Sequence, residues 1–339
     1  MAEGWRLRSG NIRKYGVGEN EFWPLFRNVL SDTSKKNSTY KYGLLKSILD
    51  NLLSVKKADR GMELSFGEIF AKFAENYWNL ITKYHLKQMH SNSRYSCTEI
   101  EKIYQKAIEG SPLAGELDFG CLPEKDRYHI IADVTSKCKR CVVGALYEEF
   151  DGCLYGFSFD EGSIWISPAA YEFMLKYKPE IEQLNYYAWA KFLEKVNSDD
   201  VLVRVLSKLE QSTPRRNDLS VYRDILWKEF EDNHCFYCGC KLKRSVHVDH
   251  VIPWSFVKED HLWNFVLTCP RCNEKKNNKL PSEPVLARVI LRNEQLSHTE
   301  NSEVAAEFSG YDPRLLMHIW DYAKLSGLKE YDSPRIEQL

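Results

Sequence analysis

Four cysteines limit this chain's folding more than any other feature. Cys235 and Cys238 form one C-x-x-C pair, Cys269 and Cys272 form a second, and thirty residues lie between them. Two intervening residues let both side chains of a pair converge from one tight turn. Two such turns present four sulfurs to one tetrahedral ion, so the spacing predicts a structural Zn²⁺ site. The bracketed segment is too short to own a hydrophobic core. Metal binding then supplies the folding free energy that burial would supply in a larger unit. Cys240 follows Cys238 by two residues, and its spacing to Cys235 suits a ligand less well. Cys138 and Cys141 form a pair with no matched partner pair, and nothing in the spacing of Cys121 and Cys153 compels a site. These four read as ordinary thiols, because the start of the chain lacks the apolar core of a secretion signal that would favour disulfides.

Between the cysteine pairs the pattern reads strand, polar loop, strand, helix: "SVHVDHVIP", "SFVKEDH", "LWNFVLTC", then a short polar helix beginning near Pro270. An aspartate and a histidine, Asp249 and His250, stand side by side inside the first apolar run, where titratable pairs are unusual. Asn264 follows His250 by fourteen residues and Asn273 follows Asn264 by nine.

In that order and spacing, Asp249-His250, Asn264 and Asn273 resemble the HNH, or ββα-metal, endonucleases, in the variant whose last His is replaced by Asn. The flanking C-x-x-C pairs match the zinc-bearing branch, and the resemblance covers residues 230–281. It implies hydrolysis of phosphodiester bonds, with His250 as the general base because an imidazole titrates near neutral pH. Asp249 and Asn273 would each give an oxygen to a catalytic Mg²⁺ or Mn²⁺. Asn264 would brace the loop between the strands and so orient the base. Lys275, Lys276 and Lys279 would meet the phosphate backbone of DNA, double-stranded DNA being the expected substrate. From Cys235 to Leu280 there are eight Lys or Arg against four Asp or Glu, a local excess that favours such contacts. Arg215, Arg216 and Arg223 extend the basic patch on the N-terminal side. His247 reads as a partly exposed strand residue rather than a ligand, and His261 as a loop residue.

The rest of the chain predicts an α+β fold: a mainly helical N-terminal domain with a small β-hairpin, then the HNH module, then C-terminal helices. The first 135 residues read mainly as helix, with apolar residues at three- and four-residue spacing in 40–52 and capping boxes at Ser65–Glu68 and Ser96–Glu99. From residue 141 the period changes to alternation, and "LYGFSFDEGSIWIS" predicts a hairpin followed by a helix capped at Ser167-Pro168. Phe73, Tyr77 and Trp78 read as core. The polar stretch 207–218 marks a boundary, which predicts domains at 1–210, 211–285 and 286–339. Two closing helices follow, the second beginning at Asp312-Pro313 and ending at Gly327.

The chain has 339 residues, 28% of them charged, with a formal net charge of -1, so it is no basic nucleic-acid coat and any attraction to phosphate is local. No stretch approaches the length of an apolar membrane span. A soluble, cytoplasmic protein is expected. The resemblance implies a bacterial restriction or anti-phage role, with residues 1–210 choosing target, protein partner, homo-oligomer or trigger. Two other readings stay open: a zinc-stabilised nucleic-acid-binding or docking module without cleavage, and a nuclease acting on RNA or only within a larger complex.

Overall fold

Every residue of the helix Tyr40–Leu49 except Lys41 is buried, so the N-terminal part of the chain is built around it. The computed structural model describes residues 4–31, 34, 36–91, 95–110, 112–211, 219–229, 233–243, 245–308 and 311–332. The chain divides into two units, Met1–Arg215 and Arg216–Leu339. Residues 212–218, with Arg215, Arg216 and most of the expected boundary, lie outside the described residues.

In the first unit the helices are α1 (Glu19–Leu30), α2 (Tyr40–Leu49), α3 (Phe66–Thr82), α4 (Glu99–Glu109), α5 (Glu124–Glu149), α6 (Pro168–Lys176) and α7 (Lys178–Val196), followed by the short α8 (Asp199–Leu202) and α9 (Val205–Gln211). A five-stranded antiparallel sheet runs in the order β1 (Ser9–Gly10), β4 (Tyr155–Ser158), β5 (Ser163–Ile166), β3 (Gly61–Ser65), β2 (Lys56–Ala58). Phe73, Tyr77 and Trp78 of α3 are fully buried. Helix α2 reaches them at Gly43, where an added Cβ would stand 2.3 Å from the Tyr77 ring. The Ser65–Glu68 box is present: Glu68 N–H donates to Ser65 Oγ at 3.2 Å and Ser65 N–H to Glu68 Oε2 at 2.8 Å.

Three local expectations are corrected. The segment read as mainly helical also contains the β2–β3 hairpin, not picked out in the sequence, which turns through Gly61 at a φ of 137°. The capping box of α4 is Thr98–Glu101 rather than Ser96–Glu99, two residues further along. The helical period does not end at residue 141, because α5 continues to Glu149. Val142 and Val143 look strand-like by propensity, but α5 runs through the core and buries both.

The second unit contains α10 (Ser220–Glu229), β6 (His247–His250), α11 (Trp254–Val257), β7 (Phe265–Thr268), α12 (Pro270–Lys276), β8 (Leu280–Pro281), α13 (Glu283–Ser297), α14 (Ser302–Glu307), α15 (Pro313–Leu325) and β9 (Glu330–Tyr331). Strands β6 and β7 pair antiparallel, and β8 and β9 pair parallel. Both strands of the β–β–α unit are shorter than their apolar runs, and the expected polar loop contains α11, closed by Lys258 in the left-handed region. The first closing helix is part of this unit's core. Asn293 Nδ2 of α13 donates to the Trp263 carbonyl at 2.8 Å, and the buried Arg292 guanidinium donates to the Phe265 carbonyl at the start of β7. Trp320 of α15 donates to the Pro281 carbonyl at 2.8 Å. The fold is therefore mixed α+β and mainly helical. No helix among the described residues is long and apolar enough to cross a membrane.

Candidate active site

The two C-x-x-C pairs meet. The sulfurs of Cys235, Cys238, Cys269 and Cys272 all lie within 4.8 Å of one another, and those of Cys238 and Cys269 are 3.9 Å apart. Four sulfurs at about 2.3 Å from a tetrahedral zinc would be separated by about 3.8 Å, so the cluster has the right size for one ion. The first pair sits on a tight turn that Gly239 permits with a φ of 67°, and Gly239 N–H donates to the Cys235 carbonyl at 2.8 Å. The second pair occupies the start of α12, with Cys269 at its N-cap and Pro270 at the first helical position. Phe236 N–H donates to the Leu267 carbonyl at 3.0 Å, which ties the first turn to β7. Burial and the crowding of neighbouring sulfurs push the Cys272 thiol up, an opposition to thiolate that a bound cation removes. Cys240 is exposed and lies outside the four-sulfur set.

Strand β6 carries His247 and Asp249 on one face and Val248 and His250 on the other, as the two-residue period requires. Helix α12 lies against β6 through Asn273 and Lys276, which are three residues apart on one helix face. Asn273 Nδ2 is 3.0 Å from His247 Nδ1. Lys276, with no exposed surface, places its Nζ 3.0 Å from Asp249 Oδ2 and donates to the His250 carbonyl at 2.6 Å. Burial pulls the Lys276 pKa down, and the Asp249 carboxylate opposes that shift. The same Asp249 oxygen accepts from the Tyr237 hydroxyl at 2.6 Å. Tyr237 is pushed well above the usual tyrosine range by burial and by Asp249, so it stays a neutral donor.

These contacts bear on whether the residues fit a divalent ion. Asp249 Oδ2 is committed to Tyr237 and Lys276, whereas Asp249 Oδ1 and Asn273 Oδ1 have no hydrogen-bond partner among the described residues. Two hard oxygen donors on facing elements are the donor type that Mg²⁺ and Mn²⁺ take. The donor types present suit such an ion, and Lys276 and Tyr237 hold the other carboxylate oxygen.

His250 is packed edge-on between Phe265, with ring centroids 4.6 Å apart, and Trp254, at 5.4 Å. Its Nε2 lies 3.0 Å from Asp260 Oδ1, and both side chains are less than one-tenth exposed. The loop carrying Trp254 and Asp260 is closed by Asn264. Its Oδ1 accepts from Ile252 N–H at 2.8 Å and its Nδ2 donates to the Ile252 carbonyl at 3.0 Å.

Residues 235–282 match the HNH endonuclease family. The module with its four-cysteine cluster is thus of the zinc-bearing HNH type, and it supports a nuclease function in general. Residues 19–114 match a domain of unknown function (DUF8808). No curated protein and no solved structure matches the chain.

Within the HNH module the three lysines separate. Lys275 is exposed on α12 and Lys279 is exposed in the turn after it, but Lys276 is not available to DNA because it is buried against Asp249. Lys276→Met leaves that carboxylate buried with Tyr237 alone. It is expected to destabilise the second unit by about 3–5 kcal/mol, read as a lower midpoint in urea unfolding followed by hydrogen exchange of that unit. Arg223 lines an open cleft with His247 and Asn273 and pairs with Asp224 at 3.0 Å. His261 Nε2 lies 3.0 Å from Glu259 Oε2, and its ring stacks on Trp263. Among the described residues, Cys121, Cys138, Cys141 and Cys153 join no metal-ligand cluster.

Sequence reasoning missed Tyr237, Asp260 and the inward turn of Lys276. Only Lys276 left a usable signal, since its position three residues after Asn273 puts both on the same helix face.

Proposed function

We propose that the chain is a metal-dependent endonuclease hydrolysing phosphodiester bonds in DNA, with His250 activating the water. The observation that carries this reading is the 3.0 Å contact between His250 Nε2 and Asp260 Oδ1. An ionised carboxylate offers only lone pairs, so Nε2 keeps the ring proton and Nδ1 is left as the basic nitrogen. A water against Nδ1 gives up a proton to the ring as its oxygen attacks phosphorus. The bond from phosphorus to the 3′-oxygen then breaks, and Asp260 stabilises the imidazolium formed.

Asp249 and Asn273 would hold Mg²⁺ or Mn²⁺ through their Oδ1 atoms. When bound, the ion neutralises charge on the phosphate and favours departure of the 3′-oxygen. Lys276 and Tyr237 keep the Asp249 carboxylate in one orientation. Asn264, acting through the loop, positions His250. Lys275 and Lys279 supply sequence-independent attraction to the phosphate backbone.

Cleavage of supercoiled plasmid in Mg²⁺ or Mn²⁺ tests the reading through Asp260→Asn. That change keeps the shape and removes the charge that fixes the ring and its proton. Plasmid cleavage is expected to fall by about 10- to 100-fold, chiefly in kcat, with DNA binding unchanged in a gel-shift assay. Equal rates for the two proteins would dismiss Asp260 as the orienting group. A restriction or anti-phage role belongs to the same proposal. It predicts that cells expressing the wild type, but not His250→Ala, give fewer phage plaques.

A further inference from the structure

The first unit has a cleft of about 910 Å³ that none of the above uses. Its lining includes five cationic side chains, Arg6, Arg8, Lys36, Lys41 and Arg140, against one carboxylate, Glu99. Some of that charge is already matched. Arg8 pairs with Asp160 at 3.0 Å, Lys41 with Glu149 at 2.6 Å, and Glu99 with Lys102 at 2.7 Å. Arg140 is exposed on α5 and has no hydrogen-bond or ion-pair partner among the described residues.

Aromatic rings stand beside these cations. Trp5 is 53% exposed and Tyr95 49% exposed, and both line the cleft together with Tyr40 and Phe159. The Trp5 ring is held in turn, with the Arg6 guanidinium 4.9 Å from its centroid.

The wall that carries Trp5 and Arg6 is anchored rather than loosely draped. A Cβ on Gly144 of α5 would stand 2.1 Å from the Gly4 carbonyl oxygen, and one on Gly4 would stand 2.4 Å from the Gly144 oxygen. Glycine on both sides is what lets this segment lie directly on the helix. Leu7 N–H closes the turn on the Gly4 carbonyl at 3.1 Å, and Ser9 then enters the sheet opposite Ser158.

We propose that this cleft binds a nucleotide: an aromatic base against Trp5 or Tyr95, and phosphate at Arg140 and its cationic neighbours. A guanidinium pairs with phosphate through parallel N–H donors, and an aromatic face accepts a base whatever its sequence. The volume falls in the roughly 300–1,000 Å³ range of small-molecule clefts, which suits a free nucleotide rather than a long strand.

The test is calorimetric titration of the full chain with AMP, GMP, ATP and GTP, beside adenosine, guanosine and inorganic phosphate. Leaving out Mg²⁺ keeps the phosphates from reporting on the second unit. At least one nucleotide is expected to bind with a Kd below about 1 mM, and its nucleoside and free phosphate at least about tenfold more weakly. Arg140→Glu and Trp5→Ala change exposed side chains and are each expected to weaken that nucleotide by about tenfold or more, with the circular dichroism spectrum unchanged. Absence of binding by all four nucleotides at about 1 mM overturns the proposal. So does binding that neither substitution alters, since the nucleotide then sits elsewhere.

Discussion

Cys272→Ser is expected to abolish zinc binding and to unfold the HNH module, while the first unit keeps its helical signal. The free energy of a structural zinc site is about 10–16 kcal/mol, as large as the whole stability of a typical domain. The module has little to replace it: β6 and β7 have four residues each, and α12 has seven. Cys272 is also the buried cysteine of the cluster at the start of α12, the helix that carries Asn273 and Lys276 to β6. Metal analysis should find about one zinc per wild-type chain and none in the variant. Hydrogen exchange should show residues 233–282 losing protection. Cys240→Ser, which alters an exposed cysteine outside the four-sulfur set, is expected to keep both the zinc and the protection. Zinc-free wild type that remains protected would remove the metal from the folding argument.

His250→Ala is expected to have the largest effect on turnover without comparable loss of stability. A positioned general base contributes about 10²–10⁴-fold, so the variant should fall by that factor while Asp260→Asn falls less. The ring touches Phe265 and Trp254 and pairs with Asp260, so some packing is lost as well. Thermal unfolding therefore has to accompany the kinetics. A variant that retains its zinc and binds DNA, yet does not cleave, separates chemistry from folding.

The parts of the site legible in the sequence are those fixed by spacing along the chain. Two C-x-x-C pairs can be counted, and they meet because turn and helix start each present two sulfurs to the same side. Asp249-His250, Asn264 and Asn273 can be counted in the same way, and they fall on β6, at the end of the intervening loop, and on α12. The residues that hold them in place could not be counted. Asp260 reaches His250 only because α11 and the Asn264 bracing bend the loop back. Tyr237 stands between Cys235 and Cys238 of the four-cysteine cluster, where its neighbours explain its presence without its hydroxyl. Lys276 looks like one of several surface lysines until α12 is laid on β6. In the first unit the caps and apolar spacing of α3 are plain, whereas α5 is obscured by Val142 and Val143, whose local preference the core overrides.

The most direct test of the central claim is cleavage of supercoiled plasmid by wild type and His250→Ala, each zinc-loaded, with Mg²⁺, Mn²⁺ or EDTA. Nicked or linear DNA is expected from the wild type with either metal, none with EDTA, and loss of cleavage in the variant. Undiminished cleavage by His250→Ala would contradict the assignment of the base, and no cleavage by folded wild type in either metal would contradict an intrinsic nuclease.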